Sequence, residues 1–392
     1  MHENKNLGQI ELTDPVAIAH SEALRSEIIQ HIKQNGDMPF EQFMQMALYQ
    51  PGMGYYTAGS QKFGSGGDFV TAPEISPLFS QALAQQCAQV LSITGGSILE
   101  FGAGSGIMAA HILKRLQYLD QLPEEYLILD VSADLRQRQR QTIEKLVPQM
   151  LERVRWLDQL PQSFDGVMLA NEVLDAMPVA VFRKQGGVTQ QKVVTYADDE
   201  LSIGWQQADE PLRSAVDAIE KRYETLAEGY VSEVNLKLDG WLAAIAETLQ
   251  NGVLLLVDYG YNGFEYYHRE RYMGTLICHY QHKAHDNPLI LPGLQDITAN
   301  VDFSAVAQAA RQYGLQIAGY APQANFLMAA GIEELIAEHL HEDQQTFMRL
   351  SQAIKVLMLP TEMGERFKVL GLSKNVNQTL DGFAVRDFRD RL

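Results

Sequence analysis

Glu100-Phe-Gly-Ala-Gly-Ser-Gly106 sets an acid and three alternate glycines between an apolar run, Ile98-Leu99, and a helical stretch beginning at Ile107. Glycine adopts positive φ and has no side chain, so such a strand-to-helix turn lets a ligand reach the amides at a helix N-terminus. That is the chemistry of a nucleotide cradle. The spacing then narrows the choice of nucleotide. A dinucleotide fingerprint requires G-x-G-x-x-G, and the residue five places after Gly102 is Ile107. The run reads acid-x-G-x-G-x-G instead; a tight glycine turn with no ligand is the plainer alternative.

That pattern is the one found in S-adenosylmethionine (SAM) methyltransferases, and the polar residues further along suit SAM in strand order. Amides at the start of the Ile107 helix match a carboxylate, and Glu100 matches an ammonium. Gly102, Gly104 and Gly106 leave room for the ligand. Asp130, at the end of the next expected strand, is placed to accept both ribose hydroxyls through bonds worth roughly 1.5–3 kcal/mol each. Trp156 and Asp158 end the third strand, where an adenine would lie, although a tryptophan there serves packing equally well. Asn171, Glu172 and Asp175 follow the fourth strand, beside the position of a transferring methyl group. Enzymes that methylate the exocyclic amines of bases often carry N/D-P-P-aromatic at this place, and the chain contains no Pro-Pro pair.

These residues need a scaffold. From Ser97 onward strands and helices alternate, which predicts an α/β fold with a parallel sheet and crossover helices. The expected strands are Ser97–Phe101, Tyr126–Val131, Val154–Leu157, Gly166–Ala170, Val253–Asp258 and Leu315–Tyr320. Phe367–Ser373 supplies a seventh, antiparallel, closing strand. The first 95 residues read as a helical lobe and lid: a helix from Asp14-Pro15 to Gly36, one from Pro39 to Tyr49, and one capped by Ser76-Pro77. The division expected is therefore 1–95 and 96–392, the second part carrying an insertion at about 180–238. That insertion is read as a hairpin, Gln191–Tyr196 with Leu201–Trp205, and a helix from Pro211 to about Ala227. Tyr261–Asn300 shows no periodicity and is expected to be a long functional loop.

Composition bounds the rest. A net charge of −18 over 392 residues disfavours nucleic acid as the main substrate and suits a cationic partner. No apolar run approaches the ~20 residues that cross a bilayer, so no membrane association is expected. Cys87 and Cys278 are too few and too distant for a disulfide framework, and the N-terminal residues lack signal or transit character. A cytosolic location is expected. A homodimer is one option for the oligomeric state.

Several runs in order carry a further likeness: Pro51-Gly-Met-Gly-Tyr-Tyr56, Gly67-Asp-Phe-Val-Thr-Ala-Pro-Glu-Ile-Ser76, the glycine loop, and Asn171-Glu-Val-Leu-Asp-Ala-Met-Pro178. Val257-Asp-Tyr-Gly260, His282-Lys-Ala-His-Asp286, Asp296–Phe303 and Met363-Gly-Glu-Arg-Phe367 complete the set. Across about 37–374 the chain resembles the MidA-like family, whose eukaryotic members are mitochondrial complex I assembly factors acting as SAM-dependent protein arginine methyltransferases. The resemblance implies a class I methyltransferase fold, SAM as cofactor and an arginine-bearing protein substrate. It also implies that the Gly67–Ser76 run folds over the cofactor, bringing Asp68, Phe69, Thr71 and Glu74 to it. Glu172 and Asp175 become the first catalytic candidates, with Asp258, His285 and Asp286 behind them; His282, His285 and Asp286 read as loop scaffold, with no metal. Asp130, Ala133 and Asn287 stand where the family more often has Glu, Pro and Asp. A small-molecule methyltransferase and a SAM-binding assembly factor with little turnover are the alternatives.

Overall fold

The computed structural model describes residues 14–58, 71–339 and 343–392. Its centre is a sheet of seven principal strands: β1 (Ser97–Phe101), β2 (Tyr126–Leu129), β3 (Val154–Leu157), β4 (Phe164–Asn171), β5 (Leu249–Tyr261), β6 (Gln316–Pro322) and β7 (Phe367–Lys374). Their spatial order is 6-7-5-4-1-2-3. All neighbours are parallel except around β7, which runs antiparallel between β5 and β6.

Both faces of this sheet are covered, which explains its continuous apolar runs. Alternate residues divide between two cores. Ile98, Val167 and Val253 meet the Pro77–Thr94 and Ile107–Tyr118 helices on one side. Leu99, Met168 and Leu254 meet the Leu238–Thr248 and Phe303–Gln312 helices on the other.

A second, antiparallel sheet builds the insertion. The expected hairpin is present as Val188–Ala197 paired with Glu200–Gln207, turning at Asp198 and Asp199 with φ of 52° and 61°. Those two positive values are what a tight hairpin with right-handed twist demands. Ala180–Gln185 and Val231–Val234 extend the sheet, and Met38–Pro39 joins it against Val193 and Val194. The lobe is tied on by its apolar side as well: Leu24, Ile28, Phe40 and Phe43 share a core with Val179, Val181 and Val194. The Pro77–Thr94 helix, on the N-terminal side of the expected 95/96 boundary, packs in the sheet's core.

Two local expectations are corrected. The insertion helix ends at Arg222, since Tyr223 turns away and packs its ring against Phe264 and Tyr267. The Tyr261–Asn300 connection contains a three-stranded sheet, Lys283–His285, Ile277–Tyr280 and Asp296–Thr298 in that order. Strands of three or four residues are too short to show a period of two.

Candidate active site

The carboxyl ends of β1, β2 and β4 open on one cavity of about 270 Å3. β1 and β4 are the neighbours from which the chain winds in opposite directions, the place where such sheets take ligands. Gly102, Gly104 and Gly106 have φ of 60°, 53° and 81°, so the backbone shape itself selects glycine. Gly102 and Gly104 line the cavity. Gly106 does not: a Cβ there would lie 2.8 Å from Gln139 Cα, so its job is close approach of two helices.

Glu100 ends β1 fully buried, and the Tyr126 hydroxyl donates to its Oε2 at 2.6 Å. Burial first, then nearby Asp130, raises its pKa to about 7, against the pull of that hydrogen bond. Asp130 follows β2 and faces the same cavity. Its Oδ1 accepts from the Ser132 N–H at 2.9 Å and its Oδ2 from Gln139 Nε2 at 2.7 Å. Burial pushes its pKa upward and these donors oppose the rise.

Trp156 does not reach the cavity. Its indole donates to Gln139 Oε1 at 2.8 Å, while Gln139 Nε2 also donates to the Gly104 carbonyl at 3.1 Å. The tryptophan therefore steadies Asp130 and the glycine loop through Gln139. Asp158 lies away from the cavity: its side chain is 90% exposed and paired with Arg136, which is anchored to the carbonyls of Asp130 and Leu157.

Thr71 and Glu74 line the cavity from a short helical turn, Ala72–Ile75, and the Ser105 hydroxyl donates to Glu74 Oε1. Asp68 and Phe69 lie outside the described residues.

Asn171, Glu172 and Asp175 form the wall after β4. Glu172 holds φ at 52°, an uncommon conformation for a residue with a side chain and one that recurs at functional sites. Burial, then Asp175, raises its pKa to about 8, opposed by the Asn171 amide and the Ala72 N–H. Asp175 is raised to about 6 by burial, opposed by the Tyr259 hydroxyl, which donates to Oδ2 at 2.6 Å. Asp175 Oδ1 and Asn171 Oδ1 are buried without a hydrogen-bond partner. Asp258 stands behind the wall, its Oδ2 accepting from the Leu174 and Asp175 amides at 3.0 and 3.3 Å. It positions the wall without lining the cavity.

His285 and Asp286 lie apart from the residues gathered at the cavity. His285 is buried in the small sheet opposite Cys278, with Nδ1 accepting from the Asn287 N–H at 3.3 Å, and Asp286 is exposed. Neither lines the cavity. Tyr49, Tyr56 and Asp296 do line it and were missed as site residues. Tyr56 and Asp296 each sit in one of the runs that carried the family resemblance, which was the available signal.

Six acids line the cavity, Glu74, Glu100, Asp130, Glu172, Asp175 and Asp296, and its described lining includes no lysine, arginine or histidine. A ligand with positive charge satisfies that wall, and SAM carries both a sulfonium and an ammonium. Glycine amides, a strand-end acid and unpartnered buried oxygens fit it.

A sheet in this order, with a glycine loop after β1 and an acid after β2, defines a class I methyltransferase fold. Residues 82–321 match the pattern of a family of S-adenosyl-L-methionine-dependent methyltransferases, and the chain belongs to it. A Burkholderia thailandensis protein crystallised with S-adenosyl-homocysteine is 41% identical, with a TM-score of 0.93, covering 97% of this chain and 100% of that one. The protein arginine methyltransferase NDUFAF7 homolog of Drosophila melanogaster is 28% identical, covering 90% of this chain and 85% of its own. Human protein arginine methyltransferase NDUFAF7 is 29% identical, with 87% and 81% covered. The Drosophila melanogaster, human and Danio rerio relatives are named mitochondrial, which overturns the expectation of a cytosolic location.

Proposed function

We propose that this SAM-dependent methyltransferase acts on an arginine side chain of a protein, with Glu172 and Asp175 receiving the guanidinium. The supporting observation is the acid wall after β4, with Asp175 buried and Glu172 half-buried, which has no counter-charge of its own among the described lining residues. Bound SAM supplies an electrophilic methyl group. Glu100, Gly102, Gly104 and Asp130, with Thr71, Glu74 and Asn171, would hold the cofactor, since all line the cavity.

A guanidinium is protonated at neutral pH and a poor nucleophile. Glu172 and Asp175 orient its planar fork through charge-assisted bonds, and one of them accepts the proton given up on transfer. Glu172, raised to about 8, has basicity suited to that task near neutral pH. The incoming cation stabilises both carboxylates, lowering the pKa values that burial had raised. The relatives named as arginine methyltransferases support the same acceptor. A chain charge of −18 favours an acceptor on a polypeptide over one on nucleic acid.

The test is incubation with methyl-labelled SAM and arginine-bearing peptides, followed by hydrolysis and separation of the amino acids. Labelled methylarginine is expected. Label confined to a metabolite or to another residue type refutes the assignment.

A further inference from the structure

The acceptor end of the cavity contains groups that the methyltransferase sheet does not supply. Tyr49 ends the Phe40–Tyr49 helix of the lobe and Tyr56 follows in the next turn; their rings stack with centroids 5.4 Å apart and 26° between planes. The Tyr49 hydroxyl donates to the Ala176 carbonyl at 3.0 Å, fastening the lobe to the wall after β4. The Tyr56 hydroxyl donates to Asp296 Oδ1 at 2.9 Å, and Asp296 lies on the small sheet formed by the long connection. All three line the cavity with Glu172 and Asp175.

The arrangement is paired. Asp175 is held by Tyr259 at 2.6 Å and Asp296 by Tyr56 at 2.9 Å, so two carboxylates are each fixed by a phenol on one cavity. The Ala299 N–H donates to the Asp175 carbonyl at 3.0 Å, joining the strand of Asp296 to the Asp175 turn. Flexible acids pay little heed to a ligand's shape; fixed ones select it, because the ligand must match their spacing. A planar cation with several N–H donors meets two such carboxylates and an aromatic wall better than a point-charge ammonium does.

We propose that Asp296, held by Tyr56 and backed by Tyr49, is a third acceptor-binding carboxylate, beside Glu172 and Asp175, and that it sets specificity for a guanidinium over an ammonium. This rests on the arginine reading above. Asp296 touches the acceptor; Tyr56 is a positioning residue that acts through it.

The experiment measures binding first, and then turnover of the arginine peptide with SAM. Calorimetry with S-adenosyl-homocysteine present compares acetyl-Gly-Arg-Gly amide with its lysine and citrulline counterparts, on the wild type, Asp296→Asn and Tyr56→Phe. The wild type is expected to prefer the arginine peptide. Asp296→Asn should weaken that binding about tenfold to hundredfold, the loss of one charge-assisted bond. Tyr56→Phe should weaken it less and raise KM for the peptide more than it lowers kcat. S-adenosyl-homocysteine affinity unchanged in both variants certifies the fold. Wild-type peptide affinity in Asp296→Asn, or equal preference for lysine in the wild type, overturns the inference alone. Absence of any arginine binding by a wild type that methylates another acceptor overturns the arginine reading and this inference together.

Discussion

Replacing Glu172 by glutamine should stabilise the protein, and by an amount that grows with pH. The carboxyl is raised from an ordinary 4.5 to about 8, chiefly by burial and then by Asp175. A raised acid pKa means that the unfolded chain releases the proton first, so folded stability is intact below the ordinary value. It is then lost as pH climbs toward the folded value. Each unit of separation corresponds to about 1.4 kcal/mol, so the penalty is roughly 3 kcal/mol at pH 7 and roughly 5 kcal/mol above pH 8. Glutamine keeps the shape and an acceptor for the Asn171 amide, which donates to Glu172 Oε1 at 3.2 Å, while removing the charge. Urea unfolding of wild type and Glu172→Gln between pH 4 and 9 reads the difference directly. A difference that stays flat with pH, or a variant less stable than wild type at pH 8, refutes the account of a desolvated carboxylate that its hydrogen bonds only partly offset. The same variant should bind S-adenosyl-homocysteine normally and transfer methyl groups slowly, so that stability and activity move in opposite directions.

Other outcomes follow from the same geometry. Gly104→Val places a branched side chain at φ of 53° in the cavity wall and should abolish SAM binding, read by calorimetry; undiminished affinity counts against the cradle. Gln139→Ala removes donors to Asp130 and to the Gly104 carbonyl, and should weaken SAM binding about tenfold, although Gln139 does not line the cavity. For methyl transfer, kcat/KM should rise with pH through the range from about 6 to about 8, as Asp175 and Glu172 lose protons. A profile falling over that range would contradict the role of either acid as base.

The cofactor end was readable in the sequence because its signals are local. Glycine spacing, an acid after an apolar run and alternation of strands with helices all lie within short windows. Asp130 is the clearest case, since a strand-end position predicts the direction in which the chain opens. The same rule does not foresee where Asp158 points, because nothing local shows that it pairs with Arg136, 22 residues away, at the surface. Gly106 matched the glycine rhythm, yet its reason is a helix contact visible only after folding. The acceptor end depends on pairings across long separations. Tyr56 and Asp296 are 240 residues apart, and Met38–Pro39 finds its partner strand in the insertion. Short strands without periodicity, as in Ile277–Tyr280 and Lys283–His285, leave no mark for such an argument to use.

The place of β7 has a consequence for synthesis. It is the last strand of the principal sheet to leave the ribosome, yet it sits between β5 and β6, and β6 has no other neighbour in that sheet. Until Phe367–Lys374 emerges, a nascent chain therefore holds the cofactor half of the sheet beside an open edge on β5 and an orphan β6. Exposed edges of this kind invite pairing with other chains. Chains truncated before residue 367 should therefore aggregate through those edges, and chains that include Phe367–Lys374 should not.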